Sequence, residues 1–322
     1  MLPGVELDVP EKISFTITVP QGKTALGVGE SVGNVDNGDG TVTWRWRETR
    51  PTATYLTTAT VGDFNYMVGN MTETSTGRTL PVYNAVDSTA TPAQAAAIQT
   101  SLNQAPGQLN YLSGLYGRYP FGSIGAVADR AAGVGYALEV QGKPHYAGAF
   151  TSGNPSINLS TQLHEIAHQW FGNSVTLQTW ADIWFNEGWA NWSTWYWSWK
   201  TQGGQDPAAR FDSAYASPSS DWSIAPAVLD GEPANLFDTF PTYTRGAMTV
   251  QGYREIVGDQ RFFAFAQLLQ RKYAYDNLST QEFIAEAKRA SGLKGAKLAL
   301  LDQYFQQWLY GTTKPTIVPE SF

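Results

Sequence analysis

The chain has 322 residues, of which none is cysteine, 12 are tryptophan and 3 are histidine. The lack of cysteine excludes disulfide scaffolds, thiolate zinc fingers, iron–sulfur clusters and cysteine nucleophiles. The net charge of −7 without a basic run argues against nucleic acid as a partner. No stretch reaches the ~18 apolar residues of a membrane span, and the first residues lack the pattern of a signal peptide. Charged residues make up 15% of the chain, against ~25% in typical soluble domains, which favours an extracellular or cell-envelope protein.

The beginning of the chain is predicted to form β-strands. Alternating apolar and polar side chains predict one strand over Ile13–Val19 and another over Val42–Trp46. The segment Asn37–Gly40 between them consists of residue types that allow positive φ in a tight hairpin turn. A third strand is predicted over Tyr55–Val61. The glycines within 27–33 are interpreted as a turn, because no helix follows them as a dinucleotide-binding loop would require.

One domain boundary is predicted, near residue 63, where the strand pattern gives way to a mixed pattern. Residues 1–63 are expected to be part of an antiparallel β-sandwich, since three or four strands make a poor independent sheet. Residues 64–322 are expected to form one α+β domain that is mostly helical in its C-terminal half. Open strand edges of an incomplete sheet would permit self-association, and the sequence leaves the oligomeric state undetermined.

Local signals predict where several helices begin and end. A helix is predicted over Ala93–Leu115 with an interruption at Pro106. Asp259 is predicted to be the N-cap of a later helix. Ser279 and Glu282 form a capping-box pattern, which predicts the start of another helix.

The sequence His-Glu-Ile-Ala-His, which begins at His164, has a spacing suited to a metal ion. His164 and His168 are about one helical turn apart, so both imidazoles can bind one ion. Glu165 projects beside them and can reach an activated water without being a ligand. Ser160 or Thr161 is predicted to cap this helix. The pattern is short and recurs by chance, so a helix with two incidental histidines stays open at this point.

A third protein ligand is available downstream. Glu187 follows His168 after 18 intervening residues, and two histidines with one glutamate are a known catalytic zinc set that leaves a position open for water. We expect this carboxylate to lie on the helix that follows the histidine helix. Asn191, one turn beyond Glu187, is predicted to hydrogen-bond a ligand histidine. The alternative for Glu187 is an ordinary solvated carboxylate.

Together these segments resemble the aminopeptidase N family of gluzincin zinc peptidases. The resemblance is carried by HEIAHQWFGNSVT at 164–176 and WADIWFNEGWA at 180–190, and it extends over about 8–310. It implies a thermolysin-like catalytic domain behind an N-terminal β-sandwich, with one bound Zn²⁺ ion. It also implies removal of residues one at a time from the free N-termini of peptide substrates.

The resemblance implies two further site residues. The family's catalytic tyrosine lies in a Tyr-x-Lys-Gly pattern, which Tyr243-Thr-Arg-Gly matches here, so Tyr243 is expected to donate a hydrogen bond to the developing oxyanion. The family's amine-recognition motif, Gly-Ala-Met-Glu-Asn, corresponds to Tyr136-Ala-Leu-Glu139-Val140. Glu139 is therefore expected to pair with the substrate's α-ammonium, the alternative being a buried structural carboxylate. Because Tyr136 and Val140 depart from the motif, aminopeptidase specificity is less firmly implied than zinc-dependent hydrolysis.

Other functions fit the same residues. The zinc chemistry could serve an endopeptidase, or the chain could be a catalytically weak binding module with a vestigial site. His145 is interpreted as a structural or exposed residue in a loop. A run of aromatic residues has helix spacing, which is typical of core packing and alternatively of a carbohydrate-binding surface: Trp189, Trp192, Trp195, Tyr196 and Trp199.

The resemblance also suggests that the chain lacks parts that family members carry. Members have a long segment before the part that matches here, including a glutamine that helps to bind the substrate amine. Larger members append helical domains after the catalytic domain. The chain is therefore expected to be either a fragment or a pared-down member with an open substrate cleft, and the preferred N-terminal residue of the substrate is not determined.

Overall fold

The computed structural model describes residues 12–130, 134–150, 156–228 and 235–322. They fall into an N-terminal unit within Asp8–Ser174 and a C-terminal unit within Val175–Phe322. Sheets are concentrated in the N-terminal unit and helices in the C-terminal unit, which confirms the mixed class predicted from the sequence. The boundary predicted near residue 63 is a different division, and it stays a prediction.

The N-terminal unit contains ten strands among its described residues. These are β1 (Ile13–Pro20), β2 (Thr24–Gly27), β3 (Glu30–Asp36), β4 (Thr41–Glu48), β5 (Ala59–Gly62), β6 (Phe64–Glu73), β7 (Arg78–Asp87), β8 (Ile124–Ala128), β9 (Ala137–Leu138) and β10 (His145–Tyr146). Its helices are α1 (Pro92–Leu102), α2 (Ala105–Tyr116) and α3 (Leu159–Ala167).

The first strands form an antiparallel sheet in the order β1-β4-β3, while β2 pairs with β5. In β4, Trp44 and Trp46 are buried, whereas Arg45 between them and Arg47 after them are exposed, as the alternation predicted. The predicted hairpin turn joins β3 to β4, with positive φ at Gly38 and Gly40. The turn predicted at the glycines within 27–33 is found at Val28 and Gly29, where Gly29 has positive φ, but the prediction was wrong from Glu30 onward. There the chain forms β3, whose side chains are almost all exposed and therefore show no apolar alternation.

The prediction of a strand over Tyr55–Val61 was only partly right. A 3₁₀ turn occupies Thr54–Leu56, and the strand β5 begins later, at Ala59. Thr57, at the C-cap of the turn, donates its backbone N–H to the carbonyl of Thr54. This local bond diverts the chain from an extended ladder.

A five-stranded sheet in the order β6-β7-β8-β10-β9 underlies the candidate site. β7, β8 and β10 are parallel neighbours, whereas β6 and β9 run antiparallel at the two edges.

Two helices, α1 and α2, replace the predicted single interrupted helix, and the break lies before Ala105. Pro106 stands in the first turn of α2, where its missing N–H costs no helical hydrogen bond. The predicted break point was therefore wrong.

His145 lies in β10, not in a loop as predicted. It pairs with Leu138 on one side and Val127 on the other, and its Nε2 lies 3.4 Å from the hydroxyl of Thr60. Burial, together with the nearby Lys143, lowers the pKa of His145 to about 4. These contacts give His145 a structural role in the sheet.

The C-terminal unit is built mainly of helices. Its helices and strands are β11 (Val175–Leu177), α4 (Ile183–Gln202), α5 (Pro207–Ala216), α6 (Arg245–Val257), α7 (Asp259–Lys272), β12 (Asp276–Leu278), α8 (Thr280–Ala290) and α9 (Gly295–Phe305). Turns of π-helix occupy Thr239–Thr244 and Gln306–Tyr310. Among the described residues, no helix has both the length and the hydropathy needed to cross a membrane.

The predicted capping box of α8 is confirmed, since Ser279 accepts a hydrogen bond from the backbone N–H of Glu282 and the glutamate reaches back to Ser279. The predicted N-cap of α7 was wrong. Gly258 occupies that position, and Asp259 is the first helical residue. The Asp259 carboxylate instead accepts a hydrogen bond of 2.8 Å from Arg254 Nε, which removes it from the capping role.

The tryptophan run lies in the core. Trp189 stacks on Phe262 with ring centroids 5.3 Å apart, and Trp192 contacts the same ring edge-on at 4.8 Å. Both tryptophans are fully buried, while Trp195 and Tyr196 are nearly so. Core packing is therefore confirmed for these four residues, which are not available as a carbohydrate-binding surface, whereas Trp199, the last residue of the run, is half-buried.

Candidate active site

The helix α3 carries the His-Glu-Ile-Ala-His segment and begins earlier than predicted. Asn158 is its N-cap, since its side-chain oxygen accepts hydrogen bonds from the backbone N–H groups of Ser160 (2.8 Å) and Thr161 (3.2 Å). The two residues predicted as caps are therefore the donors of the capping bonds. An N-cap residue has extended backbone angles and directly precedes the first helical turn. Asn158 has such angles and directly precedes Leu159, the first residue of α3.

The two histidines of this segment are brought together. His164 lies in the last turn of α3, and His168 is its C-cap residue. Their ring centroids are 4.6 Å apart, and a ring nitrogen of each lies within 4.8 Å of the other. Nδ1 of His168 lies 3.1 Å from the carbonyl oxygen of Phe171 and must be the donor, since a carbonyl only accepts. This bond fixes the tautomer and leaves Nε2 as the ligand atom, which fits a metal site.

Two carboxylates lie beside His168. One oxygen each of Glu139 and Glu165 and a ring nitrogen of His168 are all within 4.8 Å of one another. The three residues are buried. Glu139 follows the edge strand β9, and its Oε1 accepts a hydrogen bond of 3.1 Å from the hydroxyl of Tyr55. The N-terminal unit thus places Glu165, a carboxylate suited to proton transfer, next to Glu139, a carboxylate suited to pair with a cation.

Two amide side chains that the sequence reasoning missed hold these carboxylate residues by their backbones. Gln169 Nε2 donates to the carbonyls of Glu139 and Glu165, at 3.2 Å each. Its Oε1 accepts from the backbone N–H of Gly142 at 2.8 Å. Asn173 Nδ2 donates to the same Glu139 carbonyl at 2.8 Å. Both amides lie within the segment that carries the family resemblance, but their partners other than Glu165 are about thirty residues away and leave no local signal.

Glu187 lies in the second turn of α4, in the C-terminal unit, and is buried, so it is not the solvated carboxylate of the alternative reading. The start of α4 is fixed by Asp182. One carboxylate oxygen of Asp182 accepts bonds from the backbone N–H and the hydroxyl of Thr280, at 2.8 and 2.7 Å. Its other oxygen accepts from Thr179. This buried carboxylate ties the helix that carries Glu187 to the first residue of α8.

Tyr243 lies at the end of the π-helical turn Thr239–Thr244, directly before α6, and is half-buried. Asn191 Nδ2 donates a hydrogen bond of 3.1 Å to the backbone carbonyl of Tyr243. Asn191 therefore holds the backbone of the residue predicted to be catalytic. Its predicted bond to a ligand histidine stays a prediction.

Arg245, in the place of the family lysine, is a further residue whose role the sequence did not reveal. It is fully buried, and burial lowers the pKa of its guanidinium to about 10. The guanidinium donates hydrogen bonds of 2.8–3.0 Å to the backbone carbonyls of four residues, Ile224, Gln307, Trp308 and Gly311. Arg245 thereby anchors the turn that presents Tyr243.

Comparison with known proteins places this architecture in a family. Residues 151–308 match the model of the Peptidase family M1 domain. Aminopeptidase M1-C of Oryza sativa subsp. japonica is 30% identical over 271 residues, which are 78% of this chain and 29% of that protein. The crystal structure of a mutant M1 zinc metallopeptidase from Deinococcus radiodurans, bound to a Tyr-Ser-Ala substrate, has a TM-score of 0.78. It is 25% identical, and the match covers 95% of this chain and 65% of that one.

The chain is a member of the M1 peptidase family. This confirms the resemblance to the aminopeptidase N family, and the mixed architecture matches the M1 metallopeptidase fold, as expected. Aminopeptidase 2, mitochondrial, of Saccharomyces cerevisiae is a further relative, 31% identical over 137 residues that are 40% of this chain and 14% of that protein. The chain spans about a third of the length of two curated relatives whose matches cover most of the chain. It covers 29% of the first relative and 33% of the second.

Proposed function

We propose that this chain is a zinc-dependent aminopeptidase that hydrolyses the N-terminal peptide bond of peptides. The observation that carries the proposal is the cluster on and beside α3. Two imidazoles lie against each other, and the one of fixed tautomer, His168, lies next to the buried carboxylates of Glu165 and Glu139. Metal-assisted hydrolysis needs the imidazoles and the first carboxylate, and recognition of a free amine needs the second.

The residues that hold the metal in this proposal are His164, His168 and Glu187. Two neutral imidazole nitrogens and one carboxylate oxygen form a donor set that suits Zn²⁺ and leaves a coordination position for substrate or water. When bound, zinc supplies a Lewis acid that polarises the scissile carbonyl and lowers the pKa of water. The hydrogen bond from His168 Nδ1 to Phe171 supports this assignment, because it directs Nε2 toward the role of ligand.

Glu165 acts as the general base. Its carboxylate accepts a proton from the attacking water and then delivers that proton to the nitrogen of the leaving amine, so the proton balance closes within one turnover. The phenol of Tyr243 donates a hydrogen bond to the oxygen that becomes negative in the tetrahedral intermediate. The anchoring of its turn by Arg245 and Asn191 supports this role, since oxyanion stabilisation depends on donors fixed in advance.

Glu139 binds the ammonium group of the substrate's first residue. The preceding strand, β9, is an edge strand of the five-stranded sheet, so an extended peptide can add to it and end at Glu139. The hydroxyl of Tyr55 and the amides that hold its backbone fix this carboxylate in position.

The experiment that tests the proposal replaces Glu165 by Gln. Glu165→Gln should bind one zinc ion per chain, as the wild type does, and lower kcat on an alanyl fluorogenic substrate by about 10²–10⁴-fold. Glu282→Gln is the matched control, because Gln preserves the capping box of α8 and should leave kcat unchanged. Activity of Glu165→Gln within a few-fold of the wild type would refute the assignment.

The endopeptidase alternative predicts a different substrate preference. If Glu139 binds the free amine, N-acetylation of the substrate abolishes turnover, and Glu139→Gln raises KM for the free-amine substrate by about 10-fold or more. Equal turnover of acetylated and free peptides would favour the endopeptidase. Tyr136 departs from the family's amine-recognition motif and is exposed. The comparison of acetylated and free peptides therefore tests whether this chain keeps specificity for a free amine.

A further inference from the structure

Two distant segments of the N-terminal unit exchange side-chain hydrogen bonds at Glu139. Gln141 Nε2 donates to the hydroxyl of Thr52 at 2.7 Å and to the carbonyl of Pro51 at 3.3 Å. In the opposite direction, the hydroxyl of Tyr55 donates to Glu139 Oε1 at 3.1 Å. Each segment thus gives one donor side chain to the other, and we call the four residues Glu139, Gln141, Thr52 and Tyr55 the reciprocal clamp.

The backbone between Thr52 and Tyr55 is short and regular. A 3₁₀ turn occupies Thr54–Leu56, and the backbone N–H of Leu56 donates to the carbonyl of Ala53 at 3.0 Å. Thr52 is fully buried, whereas Tyr55 is half-buried. A bond that anchors Thr52 therefore also restrains the ring of Tyr55, because few backbone torsions separate the two residues.

The carboxylate of Glu139 needs such a restraint because of its surroundings. It is buried, and one of its oxygens lies within 4.8 Å of a carboxylate oxygen of Glu165 and of a ring nitrogen of His168. Two carboxylates of like charge at this distance repel each other. The hydroxyl of Tyr55 holds the Glu139 carboxylate in one orientation against that repulsion, so an arriving ammonium group meets an acceptor that is already in place.

We propose that Gln141 is a positioning residue for the substrate's ammonium group. It anchors Thr52, which fixes Tyr55, and Tyr55 orients the Glu139 carboxylate. The inference rests on the proposed binding of the ammonium group by Glu139. An ammonium group is bound equally in the ground state and in the transition state, so loss of the clamp raises KM for substrates with a free N-terminus and leaves kcat unchanged.

The test replaces Thr52 by valine, which has the shape of threonine but lacks the hydroxyl that accepts from Gln141. Thr52→Val should raise KM for an alanyl fluorogenic substrate about 3–10-fold, as expected for the loss of one hydrogen bond between neutral groups. Its kcat should stay within about 2-fold of the wild type. Thr52→Ser keeps the hydroxyl and should keep KM within about 2-fold of the wild-type value.

Thr57→Val is the matched control. It makes the same exchange a few residues further along, where the hydroxyl donates to the Ala53 carbonyl at 3.4 Å, and its KM should equal that of the wild type. Thermal melting verifies that each variant is folded. Gln141→Leu keeps the test decisive if Thr52→Val does not fold, although it also removes a hydrogen bond to the carboxylate of Glu48.

A double variant separates positioning from a general structural effect. Tyr55→Phe should itself raise KM about 10-fold, because its hydroxyl bonds a charged group. Addition of Thr52→Val to Tyr55→Phe should not raise KM further, because the two residues act in series. Wild-type KM in Thr52→Val, or additive effects in the double variant, would overturn this proposal alone. Equal turnover of N-acetylated and free-amine substrates by the wild type would overturn it together with the proposed aminopeptidase activity.

Discussion

Gly188 of α4 and Gly246 of α6 approach each other so closely that a Cβ atom on Gly188 would stand 2.7 Å from the carbonyl carbon of Gly246. Each glycine directly follows a residue of the candidate site region, Glu187 in the first case and Arg245 in the second. The contact therefore packs the helix that carries Glu187 against the helix that follows Tyr243. A side chain at either position would force the two backbones apart.

We expect Gly188→Ala to destabilise the protein by about 1–3 kcal/mol, because the overpacking cost exceeds the gain of up to about 1 kcal/mol in helix propensity. Urea unfolding measures the change. The matched control is Gly114→Ala in α2, where a Cβ atom has nothing within 4 Å and the substitution should stabilise by about 0.5–1 kcal/mol. Equal stability of the two variants would show that the approach of α4 and α6 is not tight.

Arg245→Lys should destabilise the chain by about 2–4 kcal/mol, although lysine is the family residue at this position. A lysine ammonium has three donors on one nitrogen and cannot reach the separate carbonyls that the planar guanidinium bonds. Thermal unfolding tests the expectation, with Arg271→Lys on the exposed face of α7 as the control. A melting temperature equal to that of the control would contradict the anchoring role.

Asn191→Ala removes the hydrogen bond to the Tyr243 carbonyl, and we expect kcat on an aminoacyl substrate to fall about 10-fold while zinc content and KM stay close to wild type. Misplacement of the tyrosine affects the transition state more than substrate binding, which separates this result from general unfolding. Thr201→Ala on the same helix is the control, because its hydroxyl bonds within that helix, to the Trp197 carbonyl and the side chain of Gln202. A change in KM alone would argue against a positioning role for Asn191.

Lys143 should make stability depend on pH. Burial lowers the pKa of its ammonium to about 7, against ~10.4 in an unfolded chain. The amine nitrogen of Lys143 lies over the ring of Trp46, 4.4 Å from the ring centroid. Between pH 7 and 10 the unfolded chain binds this proton and the folded chain does not, so stability from this group rises with pH. Below pH 7 both states are protonated, and its contribution is constant.

The measurement is the free energy of unfolding at intervals between pH 6 and 9.5. We expect the wild type to gain up to about 1 kcal/mol per pH unit above pH 7 from this residue. Lys143→Met should lose that slope, whereas Lys294→Met, at an exposed position, should retain it. Identical slopes in all three proteins would show that Lys143 is protonated throughout this range.

Features encoded within a few residues were predictable from the sequence. The alternation in β1 and β4, the turn at Gly38, and the capping box of Ser279 and Glu282 each depend on contacts between near neighbours, and each is found in the structure. The errors occurred where the local signal was weak or shared. β3 has exposed side chains on both faces, and several polar residues near 158–161 could have capped α3.

The sequence by itself determined the spacing of His164, Glu165 and His168, since helical periodicity alone places residues four apart on one face. It did not determine what holds them and their neighbours in place. Tyr55 reaches Glu139 across 84 positions of the chain, and Arg245 bonds carbonyls more than sixty positions away. Only the tertiary structure decided these contacts, because a hydrogen bond between distant residues depends on how the whole chain packs and leaves no periodic trace in the sequence.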